Sequence, residues 1–165
     1  MAQTRAGARQ VPLPLAREAR ERLSELLVTA SLELRDLELC AKVAHWNVRG
    51  VLFSALHPFF DGLAEHLDGW VDMTAERAVT LGGYARGRSQ DVAEAAPIAP
   101  YPTDAVDGEA HVRALLARYE RVAADLRHAI GDSERLGDPD TVDLFTEVSR
   151  GLEKDLWMLE AHLGA

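Results

Sequence analysis

The sequence has a single cysteine, Cys40, and only two lysines, Lys42 and Lys154. One cysteine excludes an intrachain disulfide framework and a zinc site built from several thiolates. Its place on an apolar stripe predicts a buried structural thiol. The chain also lacks any apolar run long enough to span a bilayer, and its start shows no secretory signal, so a cytoplasmic protein is expected, with no membrane partner. It lacks internal repeats and strand-like alternation, which excludes solenoids and sandwiches. What it has in excess is acid. The formal net charge is −9, which repels nucleic acid and anionic membrane and attracts cations.

The remaining pattern is helical. Residues 1–14 form a tail of small residues with Arg5, Arg9, Pro12 and Pro14, and residues 15–165 form one domain. Leu23, Leu26, Leu27, Ala30, Leu34, Leu37 and Ala41 recur at steps of three and four and predict a first helix over 15–46. "NVRG" turns the chain into a second helix over 53–81, stopped by Gly82-Gly83. Pro58 falls in the first turn of that helix or just beyond it, where its missing N–H costs least. Residues 84–104 hold three prolines, with "SQDVAEAA" as one short helix inside a long connection. A third helix over 107–130 and a fourth over 141–163 follow, with "GDSERLGDPD" as the turn between them. Short, long and short links define an all-α, ferritin-like four-helix bundle whose long crossover lies between helices two and three.

Ionisable residues interrupt the second helix in a regular way. His57 and Asp61 are four apart and share a face, as do Asp72 and Glu76. The centres of the two pairs are separated by about 22 Å along the axis and turned by roughly 60°. Metal–ligand bonds are about 2 Å long, so one chain cannot bring both pairs to one ion. A two-fold dimer packing two copies of this helix antiparallel would do so, creating two equivalent sites. His45, at the end of the first helix, reaches the same end of the bundle as His57. Each site would draw His45, His57 and Asp61 from one chain and Asp72 and Glu76 from the other. Imidazole and carboxylate donors together suit iron, manganese or zinc. Ferritin-type centres built within one chain use Glu-x-x-His pairs. No histidine here has Glu three residues before it, and the nearest approach is Asp125 before His128.

Together, "AHWNVRG", "ALHPFFDG" and "DMTAERAVTLGG" resemble the Dps family, the mini-ferritins named as DNA-binding proteins of starved cells. The segments "YPTD", "RYERVAADLRHAIG" and "SRGLEKDLWMLEAHL" extend the likeness over about residues 23–163. The resemblance implies a hollow dodecamer that oxidises ferrous iron at its two-fold interfaces, with hydrogen peroxide preferred to oxygen. It implies storage of the ferric product inside, and protection of DNA against oxidative stress. It assigns the five ligands to His45, His57, Asp61, Asp72 and Glu76 and places Trp46 near the centre. His45 and the partner's Asp72 and Glu76 would hold the tighter iron, with His57 and Asp61 at a weaker second position. Iron entry along three-fold axes would fall to Asp140, Asp143 and Glu147, which share a face near the start of the last helix.

The chain departs from the family at Pro58, directly after a ligand histidine, and in a tail without lysine. Weak DNA binding at most is expected. The competing reading is a structural, nucleoid-associated shell that compacts DNA with silent metal sites, for which a lysine-rich tail would be the signal. Bland roles suffice for His66, His111, His128 and His162 as packed or capping residues. Trp46, Trp70 and Trp157 are expected as core or interface anchors. Arg77 is close enough in sequence to neutralise Asp72 or Glu76.

Overall fold

The computed structural model describes residues 9–95 and 98–164. Five helices follow in order: α1 (Arg17–Asn47), α2 (Phe53–Thr80), α3 (Ser89–Ala95), α4 (Gly108–Leu136) and α5 (Pro139–Ala161). α1 packs along α2 and α4 along α5, while α1–α4 and α2–α5 contacts close the bundle around one core. The described residues contain no β-strand, only an isolated bridge between Arg49 and Asp107. This is the ferritin-like arrangement expected from the link lengths. No helix among the described residues is long and apolar enough to cross a membrane.

The apolar stripes converge as their periodicity requires. Leu27, Leu34 and Leu37 of α1 and Phe60, Leu63 and Leu67 of α2 meet Tyr119, Val122 and Phe145 at the centre, all essentially without exposure. Each such side chain contributes about 1.5–3 kcal/mol by leaving water. Cys40 is buried, and burial pushes its thiol up to about 11, which makes it unreactive.

Two boundaries differ from expectation. α4 runs six residues past Ile130, through Gly131, Asp132 and Ser133, residue types that favour turns. Packing overrides that preference: Ser133 is fully buried, and its hydroxyl donates to the Ala129 carbonyl at 2.8 Å. The chain stops at Gly137, whose left-handed φ of 77° ends the helix, and Pro139 opens α5 within its first turn. At the other end of α4, the Asp107 carboxylate caps the helix by accepting from Ala110 N–H at 2.9 Å.

From Arg9 onwards the tail lies against the end of α2; residues 1–8, including Arg5, fall outside the described residues. Arg9 N–H donates to Gly82 O at 2.6 Å. Gly82 has φ 94°, and a Cβ there would stand 2.3 Å from the Arg9 carbonyl. Arg20 is buried and donates to the carbonyls of Leu15, Arg9 and Leu81. The crossover is pinned in the same manner. Arg118 donates to Ala99 O and Pro100 O, and Tyr101 Oη meets His111 Nδ1 at 2.8 Å.

His111 takes the packed role expected of it and is buried. His66 is exposed, although it donates to the buried Asp155 carboxylate at 3.1 Å. His162 is exposed and donates to Met158 O at 2.7 Å. His128 departs from expectation: it is exposed on α4. The core role also fails for Trp46 and Trp157, which are 68% and 62% exposed, whereas Trp70 packs against the core.

Candidate metal centre

The five-residue turn after α1 sets His45 beside the second turn of α2. Gly50 takes a left-handed φ of 96°, Val48 is buried, and Arg49 N–H donates to Val106 O of the crossover at 3.0 Å. Held in this way, the two imidazoles brace each other. His45 Nδ1 lies 2.8 Å from the His57 carbonyl, and His57 Nδ1 lies 2.9 Å from the His45 carbonyl. The rings stack with centroids 3.8 Å apart, and Phe53 covers the second ring at 4.9 Å.

A carbonyl oxygen only accepts, so both Nδ1 atoms carry their protons. In neutral rings, each Nε2 therefore presents a lone pair. Two backbone carbonyls thus fix tautomer and orientation, which is how ligating histidines are commonly supported. Pro58 does not disturb this arrangement. It sits inside α2, one turn beyond the helix start, where its missing N–H deprives only the Ser54 carbonyl of a helical donor.

Asp61 approaches from the next turn of α2, 4.0 Å from His45 Nδ1. Its carboxylate is already paired with the Lys42 ammonium. That hydrogen bond holds Asp61 below the usual carboxylate range, with the nearby His45 adding to it. The same bond raises Lys42. Lys42 is the one residue of this cluster that the sequence reading leaves out. The signal was available, since Lys42 precedes His45 by three and so shares its face.

Asp72 and Glu76 are exposed further along α2. Asp72 lines an open groove of about 610 Å³ together with Arg35, Asp68 and Arg86. Arg77 neutralises neither of them; it donates to Asp138 at 2.7 Å and to Thr141 at 3.2 Å, fastening α2 to the start of α5. Among the described residues, no three His, Cys, Asp or Glu side chains come together to hold one ion within a single chain.

The structure therefore brings together His45, His57 and Asp61 and keeps Asp72 and Glu76 apart from them. Trp46, on the last turn of α1, is exposed, as are Val51, Leu52 and Phe53. Asp140, Asp143 and Glu147 lie exposed on the first turns of α5, with Asp140 3.7 Å from Arg77.

This bundle, with donors carried on helices, is matched by the family model for the ferritin-like domain over residues 32–165; the protein is ferritin-like by class. The DNA protection during starvation protein of Agrobacterium fabrum is 47% identical over 128 residues, covering 78% of this chain and 79% of its own. Among solved structures, DpsA14 from Streptomyces coelicolor matches with a TM-score of 0.92 at 31% identity, over 98% of this chain and 96% of that one. Dps from Microbacterium arborescens, solved in a high iron form, matches with a TM-score of 0.86 at 29% identity, over 95% and 100% of the two chains. The chain belongs to the Dps family.

Proposed function

We propose that the protein is a ferroxidase that oxidises ferrous iron, with hydrogen peroxide in preference to oxygen, at sites shared between two-fold related subunits. The ferric product is stored inside a hollow dodecamer. The observation that carries this reading is the reciprocal brace of His45 and His57. It ties both Nδ1 atoms to backbone carbonyls and so leaves each Nε2 as the free ring nitrogen, with the Asp61 carboxylate 4.0 Å from His45 Nδ1. Imidazole and carboxylate donors together suit a borderline cation such as Fe(II).

His45 with Asp72 and Glu76 of the partner subunit forms the tighter position. His57 and Asp61 form the weaker one, which Lys42 must vacate. The split of the ligands along α2 supports a two-chain site, since a straight helix cannot fold its far carboxylates back onto its near imidazoles. Peroxide takes one electron from each of two ferrous ions, so holding the pair together consumes both reagents without releasing a hydroxyl radical. Asp140, Asp143 and Glu147 gather cations at the entry path. This chemistry accounts for protection of DNA, the role in the names of its relatives.

A primary role in compacting DNA draws less support. Of the tail's two arginines, Arg9 donates to Val79 O at 3.3 Å, and the acidic surface opposes phosphate. DNA contact is therefore weak and secondary.

Adding ferrous iron and then peroxide to the assembled protein should give rapid ferric absorbance. A His45→Ala, Asp72→Ala double variant should lose it. Equal rates in the two proteins would refute the assignment. A particle mass other than twelve subunits would refute the cage.

A further inference from the structure

A second polar site lies on the opposite side of α1. Glu33 precedes Lys42 by nine residues, which places it about 180° around the helix from the candidate metal centre. There, Leu26, Ala30, Leu126 and Ala129 line a groove of about 320 Å³ between α1 and α4. That volume is at the lower end for small-molecule sites.

Glu33 lines this groove, and it is only 7% exposed. Among the described residues it makes neither a hydrogen bond nor an ion pair. The neighbouring acids are matched: Glu25 lies 3.7 Å from Arg22, Asp125 is 2.6 Å from Arg121, and Asp132 pairs with Arg135. An unpaired buried carboxylate is costly. Burial, with the charge of Asp125 added and that of Arg121 opposing, pushes Glu33 up to about 7.

The geometry selects among cations. A transition-metal site asks for three or more protein donors, and no three converge here among the described residues. A primary ammonium asks for one charged acceptor, and its methylene stem needs an apolar wall.

We propose that this groove binds a small aliphatic polyamine. One ammonium sits on the Glu33 carboxylate, the methylene chain lies along Leu26, Ala30, Leu126 and Ala129, and a second ammonium reaches the acidic rim at Asp125 or Asp132. The cation favours ionised Glu33, so binding releases its proton below about pH 7, and affinity falls by roughly tenfold for each pH unit beneath that. The other charged or titratable groups lining the groove are Arg22 and Glu25 of α1 and Asp125, His128 and Asp132 of α4, and Arg121 acts on Glu33 from outside that lining.

Calorimetric titration of the assembled protein with spermidine, in about 0.15 M salt to screen the general acidity, tests this directly. The expected result at about pH 8 is saturable binding, weakened at least tenfold in Glu33→Gln and again at about pH 6. The rate of ferrous oxidation should be unchanged in that variant, so this outcome is independent of the iron chemistry. Asp125→Asn, at the rim, provides a second variant and should weaken spermidine two- to fivefold. Binding that never saturates, or equal affinity in both variants and the parent, would overturn the proposal. So would Mn(II) binding that depends on Glu33 and exceeds that of spermidine.

Discussion

Replacing Glu33 with glutamine keeps the side-chain shape and removes the buried charge, so the gain in stability should itself depend on pH. Glu33 is shifted from its ordinary 4.5 to about 7 by burial first and Asp125 second. The folded protein therefore holds this proton more tightly than the unfolded chain does. The stability this contributes is fully present below 4.5 and is lost as the pH rises to about 7. That interval, at about 1.4 kcal/mol per pH unit, amounts to at most about 3.5 kcal/mol. For a chain of this length the difference is at most about 7–14 °C in melting temperature.

The assay is a thermal melt followed by helical circular dichroism at about pH 5 and about pH 8. Protein concentration must be equal throughout, because assembly couples the midpoint to concentration. Glu33→Gln should melt well above the parent at the higher pH and close to it at the lower. Asp36 and Asp155, both also raised by burial, titrate in both proteins and cancel in the comparison. An identical difference at the two pH values would refute the reasoning, because a packing change alone carries no proton.

Lys42→Gln removes the cation that competes for Asp61, so anaerobic calorimetry should show ferrous iron binding at the weaker position tightened two- to fivefold. Unchanged or weaker binding would show that Lys42 does not compete. A Cβ at Gly151 would stand 2.3 Å from Trp70 Cζ2, so Gly151→Ala should cost about 1–3 kcal/mol and shift the tryptophan fluorescence. An unaltered melt and spectrum would contradict the contact.

Much of the candidate site was legible because it rests on local geometry. A turn of a few residues must return the chain beside itself, and so His45 and His57 meet at one end of the bundle. The helical rise separates Asp72 and Glu76 from them whatever the packing. Lys42 was equally legible from its position three before His45. The reciprocal hydrogen bonds to the His45 and His57 carbonyls were not, because they depend on the relative height of two helices and not on the order of residues along either.

The boundaries divide in the same way. Pro139 and Gly137 are strong local signals, and they mark the true junction of α4 and α5. Gly131, Asp132 and Ser133 are weaker signals that point to an earlier end, and the burial of Ser133 overrides them. Arg20 and Arg118 carry charges that in sequence suggest solvent. Each instead reaches backbone carbonyls that the fold has left without donors.

The sequence by itself determined the helices, their antiparallel order and the spacing of donors along α2, since these follow from bonds between residues four apart. Only the tertiary structure decided which imidazole nitrogens are free, which carboxylate lies buried without a partner, and that His66 meets Asp155 across 89 positions. Those outcomes depend on how side chains from separate helices share one interior, where the available volume and the remaining donors are settled jointly.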